Sequence, residues 1–495
     1  MIATAGMPRS RHAGSQVRKI METPRGFPKN MEMMMSVPTS GRPSARSAKA
    51  GTKTIRETAR DIPIYAEPDV LVVGGGAAGL SAACAAARAG ADTLLIDAYG
   101  YLGGTLTLVT LGGFCGTHAI VDDKRLGRTV GGIYMEVEDR LKRYDGLLEP
   151  RRHGKIIGVP YESIALRRVA DEIVAANGVK VLLHTSAVDV QTENGRVTAV
   201  IIENKGGRSA ILPRVVVDCS GDGDVAARAG AEFGLGEDGE TQYASAMFRL
   251  GNVDQERAGK LSRPQIRELL EQAVADGFPL PRTAIGYHVN PLPGVVHLNV
   301  TKLGDENGAP FNLVDPEQLS AAEREGRRQV RMYEEVFRKY VPGFENARVL
   351  DIGAKVGIRE TRVIRGDSEL QVEDIRNCVK PEDRIACTGW PLEIHGRGLA
   401  TQWEFLPDGE YYGIPWGCLV VKGFENLLVA GRNLSSSHAA QSSARAGGPC
   451  FAMGEAAGAG AALSLSDNGR VRSVPINALQ SALEQHGAIL APDLR

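Results

Sequence analysis

Residues 69–97, DVLVVGGGAAGLSAACAAARAGADTLLID, place three consecutive glycines between a four-residue apolar run and an Ala-rich segment. Strand, glycine turn, helix and second strand in that order form a β-α-β unit, which implies a parallel pair with a right-handed crossover. Asp69–Val73 reads as a buried strand, Ala77–Ala89 as a helix and Asp92–Asp97 as the next strand. In the spacing Gly74-x-Gly76-x-x-Gly79 each glycine has its own job. Gly74 permits the tight turn, Gly76 lets the backbone approach a pyrophosphate, and Gly79 lets the helix lie close to the strand. The helix N-terminus, opened by Ala77 and Ala78, carries roughly half a positive charge and free N–H groups, which suits a diphosphate. Asp97, with Ala98 beside it, can accept both ribose hydroxyls of an adenosine and would repel a 2′-phosphate. A dinucleotide without that phosphate is the expected ligand.

Four further stretches favour FAD over NAD. GYLGGTLT (100–107) offers Gly103, Gly104 and Thr105 where FAD folds of the glutathione-reductase type carry a Gly-Gly against the cofactor. The strands read at 179–203, including Val188, are similar to the small sheet inserted in those folds. DCSGDGD (218–224), with Gly221, resembles their later nucleotide-side turn. NLLVAGRN (426–433), with Gly431 and Arg432, and the helix start Gly447-Gly448 resemble the closing motif that reaches the ribityl chain and flavin ring. These stretches, with VGIRETRVIRGD (356–367) and YYGIPWGCLVVKGFEN (411–426), resemble the FAD-dependent oxidoreductases grouped with the flavin subunit of heterodisulfide reductase. Fumarate-reductase-like flavoproteins are more distant. The resemblance implies non-covalent FAD. Relatives also carry 4Fe-4S clusters, but the seven scattered cysteines here contain no CxxC pair, so neither a cluster nor another metal site is expected. Trp416-Gly417 departs from the aromatic-basic pair often found in relatives.

The expected fold is therefore α/β: a Rossmann-like FAD-binding fold of the glutathione-reductase type with an inserted α+β substrate domain. The expected organisation is a disordered tail over 1–65, a first FAD-binding part over 66–235, the inserted domain over 236–420, the closing strand and helix over 421–470, and a C-terminal helix and tail over 471–495. Residues 320–341 read as a charged amphipathic helix, 450–466 as an Ala/Gly helix, and 403–417 as a hairpin around Pro407-Asp408-Gly409. The first ~50 residues are basic and rich in Ser and Pro, and they lack an apolar signal core. They read as a disordered tail or as sequence upstream of a later start. With 58 basic and 59 acidic residues, the net charge of −1 gives no electrostatic reason to bind nucleic acid. No run of ~18 apolar residues predicts a membrane span. The cysteine usage fits a reducing, cytoplasmic compartment. The sequence sets no oligomeric state.

No second GxGxxG follows a strand, so no separate NAD(P)H domain is expected and a small-molecule substrate should meet the flavin directly. The electron acceptor stays open between dioxygen, a quinone and a carrier protein. Hydride transfer at flavin N5 needs a donor carbon held in place, often a base, and a cation if the substrate is anionic. The candidates are His438, Arg359, His395, Arg397 and Arg445, with Arg362, Cys115 and His118 as further possibilities. His438 and Arg359 are the first choices. The function expected is FAD-dependent oxidation or reduction of a small polar or carboxylate-bearing substrate. The alternatives are a flavin-bearing electron-transfer subunit working with an iron–sulfur partner, fumarate-reductase-like reduction of an activated C=C bond, and a non-catalytic FAD-binding module.

Overall fold

The computed structural model describes residues 53–494, so the expectations for residues 1–52 fall outside the described residues. A five-stranded parallel sheet forms the centre of the fold. Its strands are β1 (Val70–Val73), β2 (Thr93–Ile96), β3 (Lys180–Leu182), β4 (Val215–Asp218) and β5 (Leu427–Val429), in the spatial order β5-β4-β1-β2-β3. All four residues of β1 are buried, as expected of a parallel strand covered on both faces. Helix α1 (Ala77–Arg88) makes the crossover from β1 to β2. The architecture is α/β.

Three local expectations need correction. Lys180–Leu182 does not join a small sheet with its followers but pairs parallel with β2. It follows the helix Ser163–Ala176, and a helical crossover returns the chain parallel. The small sheet instead comprises Ser186–Glu193, Arg196–Asn204 and Gly207–Ile211, joined by Ile64–Ala66 from the stretch read as tail. The segment around Pro407-Asp408-Gly409 turns, but its arms do not pair with each other. Gln402–Glu404 pairs with Leu392–Ile394, and Tyr412–Pro415 pairs with Arg384–Thr388. Tyr412 and Ile414 are fully buried in the main core, and this pulls their strand away from the exposed Gln402 and Glu404.

A four-stranded antiparallel sheet lies in residues 248–352, ordered Gly286–Val289, Val296–Asn299, Phe248–Gly251 and Arg348–Ile352. It shares a second apolar core with helix α2 (Arg263–Ala275) and helix α3 (Pro316–Tyr340). Helix α3 starts four residues before its expected position. Asp315 accepts hydrogen bonds from the Glu317 and Gln318 N–H groups, and Pro316 fits the first turn.

Helix α4 (Gly447–Ser464) begins at the expected Gly447-Gly448 start and is apolar around most of its circumference, with Glu455 buried midway. It packs along α1. A Cβ at Gly454 would lie 2.0 Å from the Ala78 carbonyl oxygen, and one at Gly458 would lie 2.0 Å from that of Ala82. Glycine at these two positions lets the helix backbones touch.

Candidate active site

The close packing of α1 and α4 brings both helix N-termini to one cavity of about 490 Å³. Neither terminus is capped by a side chain or carries an acid in its first turn, so both keep N–H groups directed outward. Gly74, with φ of +98°, makes the first turn, and a Cβ there would lie 2.5 Å from the Cys219 carbonyl oxygen. A Cβ at Gly79 would lie 1.7 Å from the Gly74 oxygen, so this glycine serves packing and does not line the cavity. Gly76 differs from both. A Cβ at Gly76 would meet nothing nearer than the Gly104 Cα at 3.8 Å. Protein packing does not demand glycine at this position, which leaves the room for a ligand.

Asp97 is buried in the same wall. Its carboxylate accepts the Gly75 N–H at 2.6 Å and the Tyr99 N–H at 2.8 Å. It thus ties the glycine turn to the end of β2. Burial raises its pKa, and the two N–H donors oppose that shift. Ala77, Ala78, Ala98, Gly103, Gly104, Thr105, Val188, Gly221, Gly431, Arg432 and Gly447 also line the cavity. Gly448 does not. A Cβ there would lie 2.4 Å from the Gly116 oxygen, so Gly448 seats α4 against the loop after Cys115. Arg432 pairs with Asp222 at 2.8 Å and donates to Thr361 at 3.1 Å, which fixes the loops after β4 and β5 to each other.

A second cluster lines the cavity from the other elements. Arg359 donates to the Tyr243 carbonyl and, at 3.1 Å, to Asn299 Oδ1. Arg282 donates to the Asn299 carbonyl at 3.4 Å and to Thr401 at 3.0 Å. Thr401 meets His395 Nδ1 at 3.4 Å, and His395 Nε2 meets Glu393 at 3.0 Å. Arg445 donates to the Glu393 carbonyl at 3.4 Å. Burial pushes the His395 pKa well below its usual value, with the Arg359 charge adding to the effect. Burial pulls Glu393 the other way, but His395, Arg445 and Arg359 outweigh it and hold the carboxyl at about 2.

Arg359, His395 and Arg445 are therefore brought together, whereas His438 and Arg397 are not. His438 opens a separate short helix, His438–Ala444, and its Nδ1 lies 2.8 Å from the buried Glu360 carboxylate. Both His438 and Arg397 line a neighbouring surface depression, where exposed Arg397 pairs with Glu240. The chain leaves the cavity within the Ser435–Ser437 stretch, because Ser435 N–H bonds the Cys418 carbonyl and Ser437 N–H bonds the Leu370 carbonyl. Arg362 pairs with Asp224 at 3.0 Å. His118 faces Thr117 in another hollow. Cys115 does line the cavity, with burial pushing its thiol up to about 12.

Sequence reasoning missed Arg263, Arg282, His288, His297 and Glu393. Glu393 carried a readable signal, a carboxylate two residues from the candidate His395. The two histidines are direct partners on antiparallel strands, and nothing local announces that pairing.

A model of the family described as FAD dependent oxidoreductase matches residues 69–483. The chain belongs to that family. It is an oxidoreductase and a flavoprotein, and the glycine turn, the open space at Gly76 and the uncapped helix ends fit FAD. No curated protein matches the chain. Among solved structures, it is similar to a geranylgeranyl bacteriochlorophyll reductase-like protein from Thermoplasma acidophilum, at 14% identity over 85% of this chain and 84% of that one, with a TM-score of 0.45. It is also similar to p-nitrophenol 4-monooxygenase from Pseudomonas putida, at 13% identity over 85% and 83%, with a TM-score of 0.44. A third similar structure is the anhydrotetracycline hydroxylase of Streptomyces rimosus, at 12% identity over 85% and 66%, with a TM-score of 0.45. Among the described residues, no group of His, Cys, Asp and Glu could hold a metal ion, and no helix is long and apolar enough to cross a membrane.

Proposed function

We propose that this flavoprotein oxidises or reduces a small polar or carboxylate-bearing substrate by hydride transfer at flavin N5. The observation that carries the reading is one cavity lined by both the dinucleotide wall and the Arg359–Asn299–Arg282–Thr401–His395–Glu393 chain. Gly76, Ala77 and the α1 N-terminus would hold the pyrophosphate, Asp97 the ribose, and Gly431 and Gly447 the flavin side, non-covalently. The bound FAD would supply two-electron chemistry at N5. The residue stretches quoted from the sequence support grouping with the heterodisulfide reductase flavin subunit. The parallel sheet flanked by a small mixed one, three of its strands an antiparallel run, supports the glutathione-reductase type of fold.

The chain's own groups divide the remaining work. Arg359 orients an anionic group of the substrate. Glu393, ionised, holds the proton of His395 on Nε2, which leaves Nδ1 as the acceptor for a proton leaving an O–H or N–H. The inward Trp390 and Trp403 rings, 6.1 Å apart, help to exclude water. A second reading, reduction of an activated C=C bond, draws on the same arginine, since such alkenes are activated by carboxylates.

The test is anaerobic bleaching of the purified protein's absorbance near ~450 nm against a panel of metabolites. Bleaching by a carboxylate-bearing compound is expected. Bleaching by apolar compounds alone, or only by a redox partner protein, would overturn the reading.

A further inference from the structure

Besides Arg228 and Arg432, which pair with Asp224 and Asp222, four guanidiniums line the cavity: Arg263, Arg282, Arg359 and Arg445. None of them makes an ion pair with a carboxylate. Arg263 donates to the Tyr287 carbonyl at 3.4 Å, Arg282 to a carbonyl and a hydroxyl, Arg359 to a carbonyl and an amide oxygen, and Arg445 to the Gln242 amide oxygen at 3.3 Å and a carbonyl. The Nε groups of Arg263 and Arg445 are buried with no partner at all. Arg263 also occupies the first position of α2, where the helix dipole disfavours a cation.

The other ionisable groups in this wall do not offset the charge. His288 and His297 face each other with rings 5.9 Å apart. Burial keeps His297 neutral, its pKa pushed down to about 3, and burial lowers His288 as well. Glu393 is the one carboxylate hydrogen-bonded within the cluster. Arg445 directly precedes the N-cap of α4 and can be assigned to the cofactor. The three remaining guanidiniums then face one carboxylate, an excess of two positive charges. Burying charge without compensation is costly, and in water-poor surroundings the natural remedy is a counter-charge with matching geometry. Guanidiniums suit planar or tetrahedral oxyanions, which they can engage through two N–H groups at once.

We propose that the substrate of this site carries two negative charges, as a dicarboxylate or as a phosphate ester, held by Arg263, Arg282 and Arg359. The inference rests on the reading under Proposed function and deepens it from a carboxylate-bearing substrate to a dianionic one.

The test is binding to the FAD-loaded protein, read by perturbation of the flavin spectrum and by calorimetry. The probes are succinate, malonate, inorganic phosphate, propionate and succinamide. Succinate, malonate or phosphate should bind at least roughly 10-fold tighter than propionate, and succinamide should not bind. A response to the dicarboxylates assigns the charges to carboxylates, and a response to phosphate alone assigns them to a phosphoryl group. Arg359→Gln and Arg282→Gln should each weaken the dianion roughly 10- to 100-fold with FAD content unchanged. Arg263→Gln is a second variant, at a guanidinium with no ion-pair partner, so its loss leaves no carboxylate unpaired. Equal affinity for propionate and succinate, binding of succinamide, or unchanged affinity in all three variants would overturn the proposal. Because binding is measured without turnover, these outcomes are separate from a failure of hydride transfer.

Discussion

Gly454 lies directly over the backbone of Ala78, so close that a Cβ would sit 2.0 Å from the Ala78 carbonyl oxygen. This contact sets how α4 meets α1, and with it the position of both uncapped N-termini at the cavity. Gly454→Ala should therefore lower Tm and weaken FAD together. Alanine gains helix propensity, but the overlap is with rigid backbone, and overpacking costs about 1–3 kcal/mol. Thermal melts with and without added FAD check this; an unchanged Tm and full flavin would contradict it.

Two glycines of the same turn should fail differently. Gly79→Ala meets the Gly74 oxygen at 1.7 Å and should destabilise the protein even without cofactor. At Gly76 a Cβ makes only an ordinary contact with the Gly104 Cα at 3.8 Å, so Gly76→Val should melt like wild type when FAD is removed yet not retain FAD on dialysis. Matching apo-protein Tm values for all three proteins would show that Gly79 has no packing role.

Asp97→Ala should reduce FAD affinity roughly 10- to 150-fold, on the scale of hydrogen bonds to a charged group. It should also loosen the turn, since the Gly75 and Tyr99 N–H groups lose their acceptor. Equilibrium dialysis gives the affinity, and amide exchange at Gly75 and Tyr99 gives the loosening.

Much of this glycine-rich wall, the candidate cofactor site, was legible because each residue's structural task is local. A positive-φ turn, a close helix–strand approach and an acid ending a strand are all written within residues 69–97. The arginine and histidine wall was not legible. His288 and His297 meet only after their strands pair, and Gly112, Gly113 and Gly158 leave the room their rings occupy. His438 was misplaced for a related reason. Its distance from the closing motif is short, but the backbone bonds at Ser435 and Ser437 turn the chain outward at once. The hairpin expected at 403–417 failed because the turn chemistry is real while the burial of Tyr412 and Ile414 chooses other partners.

Glu455 gives the structure a pH signature. It is buried in α4 and accepts the Ile133 N–H at 3.1 Å, and burial raises its pKa from 4.5 to about 7. A folded-state pKa raised above the unfolded one means that the folded state holds the proton more tightly. Its contribution is fully present below about pH 4.5 and is lost as pH rises through about 7. Glu455→Gln keeps the acceptor without the charge, so its Tm should fall less than that of wild type between pH 5 and 8, a window spanning roughly those two values. Parallel Tm–pH curves for the two proteins would contradict this.

His438 supports the site from outside. Its partner Glu360 also accepts the Gln242 N–H at 2.9 Å, and Gln242 bonds Arg445. His438→Ala should leave flavin reduction within a few-fold of wild type, whereas His395→Ala should slow it roughly 10²–10⁴-fold, the range for loss of a positioned proton acceptor. Equal slowing in both variants would return His438 to the reaction.

In the proposed reading, one cavity holds FAD against the Asp97 wall and the substrate against Arg359. Anaerobic stopped-flow reduction of wild type and Arg359→Lys, with FAD stoichiometry measured on the same samples, tests it most directly. Lysine keeps the charge but loses the two-pronged geometry, so reduction should slow roughly 10- to 100-fold while FAD content stays unchanged. Equal reduction rates in the two proteins, or loss of FAD from the variant, would contradict the account.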